Sequence, residues 1–161
     1  ARLEPEEVIR EVDWSTLLFF VGLFVLVEGL VATGVITAVG TGLAEITGGD
    51  QAVTTLGLLW VSGFASALVD NIPYTATMIP VVQQLGSTGL ATEPLWWALA
   101  LGACLGGNAT IIGASANVVA ASAVARAGHP ISFGLFLRVG GMVALLSLLI
   151  SSAYVWVRYL V

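Results

Sequence analysis

Two short strings in the middle of the chain carry polar groups where nearly everything around them is apolar. The first is Asp70-Asn71-Ile72-Pro73, followed by Thr75 and Thr77, within the hydrophobic run from Leu56 to Leu85. The second is Gly106-Gly107-Asn108-Ala109-Thr110 with Gly113-Ala114-Ser115-Ala116-Asn117, within Leu95 to Ala127. A helix broken at such a string frees N–H groups at one half-helix start and C=O groups at the other's end. Hydrocarbon cannot satisfy either, so the break survives only inside protein or beside a wet cavity. The same groups bind ions: helix N-termini face anions, and freed carbonyls with Asn, Ser or Thr oxygens hold a cation. Asp70, Asn71, Pro73, Thr75, Thr77, Gly107, Asn108, Thr110, Ser115 and Asn117 are therefore the candidate substrate- or ion-binding residues. Asn71 and Asn108 are candidate sodium ligands, and no other metal is expected.

Plainer readings stand beside this one. Asp70 can simply N-cap the second arm, with Pro73 tolerated in its first turn. Gly102 and Gly106 are in small-xxx-small register and suit close helix packing. Glu28, at the centre of the first apolar run, is either a proton-linked residue or a protonated Glu bonded to a neighbouring helix. It is not an obvious partner for Asp70, so an intramembrane aspartyl protease is not indicated and no residue is assigned a catalytic role. His129 reads as a turn residue, Arg138 as a snorkelling cation and Cys104 as a small core residue.

Composition sets the solvent of the elements that hold these strings. Hydrophobic residues make up 58% of the 161 residues and charged ones 9%, against about 25% charged in soluble domains. Mean hydropathy is +1.00. The chain is lipid-embedded, with the bilayer as its first partner. Lysine is absent and the net charge is −5, which removes any electrostatic case for nucleic acid. No organic cofactor is expected, only a coupling ion, Na⁺ or H⁺.

The fold class expected is an all-α polytopic membrane protein. Residues 1–13 read as a cytoplasmic surface segment, with Pro5 opening a short helix and Glu6 and Glu7 in its first turn. No charged-then-apolar leader is expected in it, and its start reads either as a loop cut from a longer protein or as a product of processing. Residues 14–39 and 131–160 read as ordinary spans, long enough for a core of about 30 Å. Residues 56–85 read as a re-entrant hairpin, because each arm, about 20 Å of helix, is too short to cross alone. Residues 95–127 read as one discontinuous helix. The hairpin keeps Gly40–Thr54 and Gly86–Pro94, both free of Arg, on one face. Arg2, Arg10, Arg126 and Arg138 then gather on the other, leaving only Arg158 opposed. This bias makes the N-terminal segment cytoplasmic. Trp60, Trp96 and Trp97 are expected at the outer interface.

The string from Asp70 to Pro80 resembles the second hairpin tip of the ion transporter superfamily, and Gly106 to Asn117 resembles its paired unwound helix. The similarity is greatest to the branch of arsenite permeases, pink-eyed-dilution (P) proteins and sodium/proton antiporters, with a citrate-transporter-like domain. It extends to Val12–Phe20 and His129–Phe133. The resemblance implies a secondary transporter in the cell (inner) membrane, and this chain as the second of two inverted repeats. It also implies a missing N-terminal repeat and a homodimer when complete. In the dicarboxylate branch the tip reads Ser-Asn-Thr; here Asp70 and Ile72 replace the Ser and the Thr. A hydroxyl is lost and a negative charge gained, which ranks arsenite/antimonite efflux or Na⁺/H⁺ exchange above citrate or dicarboxylate transport. A passive channel would use the same ligands.

Overall fold

The computed structural model describes residues 14–161, and every regular element among them is helical. The expectation for residues 1–13 lies outside the described residues. Among the described residues the apolar composition takes the form of seven α-helices with few charged side chains to solvate them. Two of them are long and apolar enough to cross a membrane, or three if one bent pair counts as a single span. The chain is an integral membrane protein.

The first run does not form the single span expected over residues 14–39. Helix α1 (Trp14–Ala32) ends at Thr33-Gly34, and α2 (Val35–Ile46) leaves at 66° to it. Gly34 supplies the cause. Its φ of 77° is left-handed, which an L side chain resists. The Thr33 hydroxyl donates to the Gly29 carbonyl at 2.8 Å and so satisfies part of the frayed end.

Helix α3 (Gln51–Leu68) starts earlier than the first hairpin arm was expected to. Asp50 caps it, its carboxylate accepting from Val53 N at 2.8 Å. The polar residues that follow are absorbed inside the fold: Thr54 Oγ1 donates to the Asp50 carbonyl and meets Thr47 Oγ1, both at 2.7 Å. Helix α4 (Asn71–Ser87) returns from the tip. The arms are therefore 18 and 17 residues, about 27 and 25 Å of helix, and α3 reaches crossing length by itself.

The return of the hairpin to its own face is fixed by one side chain. Gln51 Nε2 donates to the Ala91 carbonyl at 3.1 Å, and Ala91 N donates to Gln51 Oε1 at 2.7 Å. The turn before α3 and the turn after α4 therefore lie side by side. Closer to the tip, Tyr74 Oη and Ser62 Oγ lie 3.1 Å apart and tie the arms together.

Helix α5 (Thr92–Gly106) runs parallel to α3 and packs directly on it. A Cβ at Gly102 would strike the Leu59 carbonyl and Ser62, and one at Gly106 would strike the backbone of Gly63. The small-residue register is thus used for helix packing, as lipid-embedded helices use it. Ser66 Oγ donates to the Ala103 carbonyl at 2.6 Å, so a buried hydroxyl is satisfied across the same seam. Leu58, Leu59, Val81, Val82, Leu85, Leu95 and Leu99 form the core between α3, α4 and α5.

After α5 come a 3₁₀ turn (Gly107–Ala109), an irregular stretch, and α6 (Ser115–Arg126), which buries none of its residues. Helix α7 (Phe133–Val155), capped by Ser132, continues as one π turn to Leu160. It runs back along the bundle. Near its start a Cβ at Gly140 would meet the Asn108 carbonyl, and at its far end Tyr159 stacks on Trp97 at 6.3 Å. Arg158 therefore shares the end of the bundle where α5 begins. Trp60 differs from expectation: it lies mid-way along α3, against Phe64, rather than at an end.

Candidate functional site: the paired helix breaks

Because α3 and α5 run parallel and start at the same face, they also stop at the same depth. The chain leaves α3 at Leu68 through extended Val69, and leaves α5 through the 3₁₀ turn. Two breaks separated in sequence are thereby brought together. Thr110 makes the first connection: its hydroxyl donates to the Ala67 carbonyl at 2.5 Å and accepts from Gly113 N at 3.0 Å. One buried hydroxyl thus answers a freed carbonyl of α3 and a freed N–H of the unwound segment.

Asp70 makes the second. Its Oδ1 accepts from Ile72 N at 3.0 Å, which caps α4. Its Oδ2 accepts from Ser115 N at 2.9 Å and from Ser115 Oγ at 2.5 Å, which caps α6. A single carboxylate therefore closes two half-helix N-termini at once. Pro73 has no N–H to satisfy, which lowers the number of open donors at the start of α4. Only Asn71 and Ala116 keep backbone N–H groups without a protein acceptor in these two first turns, among the described residues.

Asn117 holds the unwound segment from the other side. Its Nδ2 donates to the Gly107 carbonyl at 3.0 Å and to the Thr110 carbonyl at 2.9 Å, so both amide hydrogens are used. Gly107 and Gly113 fold back on each other. A Cβ on Gly107 would lie 2.6 Å from the Gly113 carbonyl, and one on Gly113 would lie 2.5 Å from that of Gly107. These two glycines are required by the close approach of backbone to backbone.

The candidate residues thus separate into two groups. Asp70, Thr110, Ser115 and Asn117, with Gly107, form the frame that joins the breaks. Asn71, Thr75 and Asn108 are half-buried and have unbonded side-chain polar groups among the described residues. Thr77 belongs with neither. It is two residues beyond Thr75, about 200° around α4, and its hydroxyl donates to the Tyr74 carbonyl at 2.7 Å. Glu28 is exposed on α1 and has no partner among the described residues.

Gln51, Ser62 and Ser66, none of them a candidate by sequence, hold the hairpin and the α3–α5 seam. A signal existed for the serines. Leu59, Ser62, Gly63 and Ser66 recur at i, i+3, i+4 and i+7, which marks one helix face lined with small residues. Gln51 gives no such signal, because its partner is a backbone group in a distant turn.

Two clefts of about 510 and 440 Å³ flank this arrangement. The first lies between α2, α3 and α4, and the second between α3, the 3₁₀ turn and α7. Their linings are nearly all apolar, suited to lipid tails or further helices.

The chain resembles known proteins over most of its length. A family model described as citrate transporter matches residues 1–102. An uncharacterized transporter of Mycobacterium tuberculosis is 45% identical over 162 residues, covering 99% of this chain and 38% of that protein. A 46 kDa membrane protein of Mycobacterium leprae is 45% identical over 164 residues, covering 100% of this chain and 38% of that protein. The human P protein is 44% identical over 164 residues, 97% of this chain and 20% of its own length. The chain thus spans about two fifths of the mycobacterial relatives it matches. No solved structure matches it.

Proposed function

Because the chain belongs to the citrate transporter family, we propose that it is the second repeat of a secondary active transporter that works by alternating access. The cargo in this reading is a small inorganic ion or oxyacid, with arsenite/antimonite efflux or Na⁺/H⁺ exchange favoured. The observation that carries it is the pair of helix breaks drawn together by Asp70 and Thr110. Broken helices paired in this way are the usual architecture of a transporter site. The group taken to meet the cargo is Asn71, Thr75 and Asn108, with Asn71 and Asn108 as the ligands of a coupling Na⁺ where sodium is used. Glu28 is the candidate proton-linked residue where H⁺ is used. The process changes no covalent bond and needs no catalytic residue.

The missing first repeat completes the site, and the complete protein works as a homodimer in the inner membrane. Its N-terminal segment is cytoplasmic, by the bias of Arg2, Arg10, Arg126 and Arg138 against Arg158. The name of the matching family favours a second reading, citrate or dicarboxylate transport. The test is uptake into proteoliposomes holding the complete protein, with radiolabelled arsenite, sodium and citrate supplied in turn. The proposal expects flux of arsenite or sodium against its gradient and a loss of at least about tenfold in Asn71→Ala and Asn108→Ala. Unchanged flux in both variants would remove these residues from the site, and flux of citrate alone would select the second reading.

A further inference from the structure

Charge at the breaks is unusually one-sided in the sequence, yet it balances in the structure. No Lys, Arg or His occurs between Arg10 and Arg126, so neither break has a cationic side chain of its own. On α7, which packs against the 3₁₀ turn, the nearest cation is Arg138. It is exposed and two residues before Gly140, the residue that touches the Asn108 carbonyl. That offset turns it about 200° around the helix, away from the contact. The remaining positive potential comes from the N-termini of α4 and α6, each equivalent to about half a unit charge. Asp70 lies between them and bonds to both. Its single negative charge matches their sum.

We propose that Asp70 is the specificity-determining residue of the site: a built-in counter-ion that occupies the anion position between the α4 and α6 N-termini and restricts the cargo to neutral or cationic species. The proposal rests on the transport reading above and narrows its substrate class. A multiply charged carboxylate such as citrate would need at least one of two things, a cationic side chain or an open helix N-terminus. The first is absent from residues 11–125, and the second is reduced to the Asn71 and Ala116 N–H groups, which adjoin the Asp70 carboxylate and its negative charge. A neutral hydroxylated oxyacid or a monovalent cation needs neither. Both are served by the uncharged amides of Asn71 and Asn108 and the hydroxyl of Thr75, which can donate and accept.

The test uses the complete protein, purified in detergent, with citrate as the anionic probe and sodium chloride of equal ionic strength as the control. Thermal unfolding is followed for the wild type, Asp70→Ser and Asp70→Asn. The wild type is expected to show no citrate-specific stabilisation, and citrate is expected not to compete with arsenite or sodium uptake. At least one variant, with the charge removed and at least one of the Ile72 and Ser115 N–H groups released, is expected to bind citrate at least about tenfold more tightly. Saturable citrate stabilisation of the wild type would overturn the proposal, as would monodisperse variants that gain nothing. If neither variant is monodisperse, the wild-type titration and competition decide alone. A wild type that moves neither arsenite nor sodium would remove the transport reading while leaving the citrate titration valid.

Discussion

Asp70 and Ser115, one at the tip of the hairpin and one at the start of α6, are joined by two hydrogen bonds to the same carboxylate oxygen. Because the other oxygen caps α4, this carboxylate ties two separately broken elements into one unit. Helix α6 buries no residue. Its position against the rest of the chain therefore depends on this bond and on Asn117.

Removing the carboxylate should be felt at both helices. A lost N-cap costs about 1 kcal/mol, and Asp70→Ala loses two, together with their charge–dipole contribution. Asp70→Asn is expected to lie between wild type and Ala, because it retains one oxygen but loses the charge. Ser115→Ala loses only the hydroxyl bond and should be the mildest. Unfolding midpoints of the detergent-purified protein, ordered wild type, Ser115→Ala, Asp70→Asn, Asp70→Ala, check this. Equal midpoints would show that the double cap contributes nothing.

Asn117 allows a prediction in which the sign of the hydrogen bond matters. Its amide donates twice, to the Gly107 and Thr110 carbonyls. Asn117→Ala loses both bonds and frees the unwound segment. Asn117→Asp is nearly isosteric but turns an acceptor toward two carbonyl oxygens, so it should be worse than Ala. Hydrogen exchange over residues 107–114 is the direct readout. Exchange is expected to rise in Ala and to rise further in Asp; the reverse order would mean that Asn117 does not hold the loop.

The glycines of α3 and α5 divide into two kinds with opposite expectations: Gly106 lies in the seam between them, and Gly57 is exposed and lines the cleft toward α2. A methyl group at Gly106 would collide with the Gly63 backbone, which cannot give way as a side chain can. Gly106→Ala should therefore destabilise by about 1–3 kcal/mol or abolish folding. A methyl at Gly57 meets nothing within 4 Å, and Gly57→Ala should be neutral or slightly stabilising, since Ala is the better helix former. Expression of monodisperse protein for the two variants separates them. Similar yields would contradict the parallel packing of the two helices.

The sequence revealed the breaks because polar groups are conspicuous in an apolar run, and Asp70 and Asn108 fall where the helices stop. It did not reveal the bend at Gly34. A glycine in an apolar run usually continues a membrane helix, and only its φ of 77° makes it a terminus. The early start of α3 was hidden for the opposite reason. Gln51, Thr54 and Thr55 look like loop residues, yet Gln51 bonds to Thr55 and to the distant Ala91 carbonyl, and Thr54 to Thr47 and the Asp50 carbonyl. The role of Asp70 was legible only in part. Capping of the arm that follows it is a local rule, whereas the bond to Ser115 depends on α3 and α5 lying parallel.

The fold-back itself is open to a direct test, which follows from the pairing of Gln51 with Ala91. If that pairing holds in the membrane, the chain before α3 and the chain after α4 lie on one face, and the turn after α6 lies on the other. Single cysteines at Glu45, Ser87 and Ala127, all exposed, report these three places in a Cys104→Ser background. None of the three has positive φ, so the substitution is unstrained at each. An impermeant thiol reagent applied to one side of oriented vesicles is expected to label Glu45→Cys and Ser87→Cys together. Ala127→Cys should label only from the opposite side. If residues 51–87 crossed the bilayer once, Glu45→Cys and Ser87→Cys would label from opposite sides, and the parallel arrangement of α3 and α5 that brings the two breaks together would fail with it.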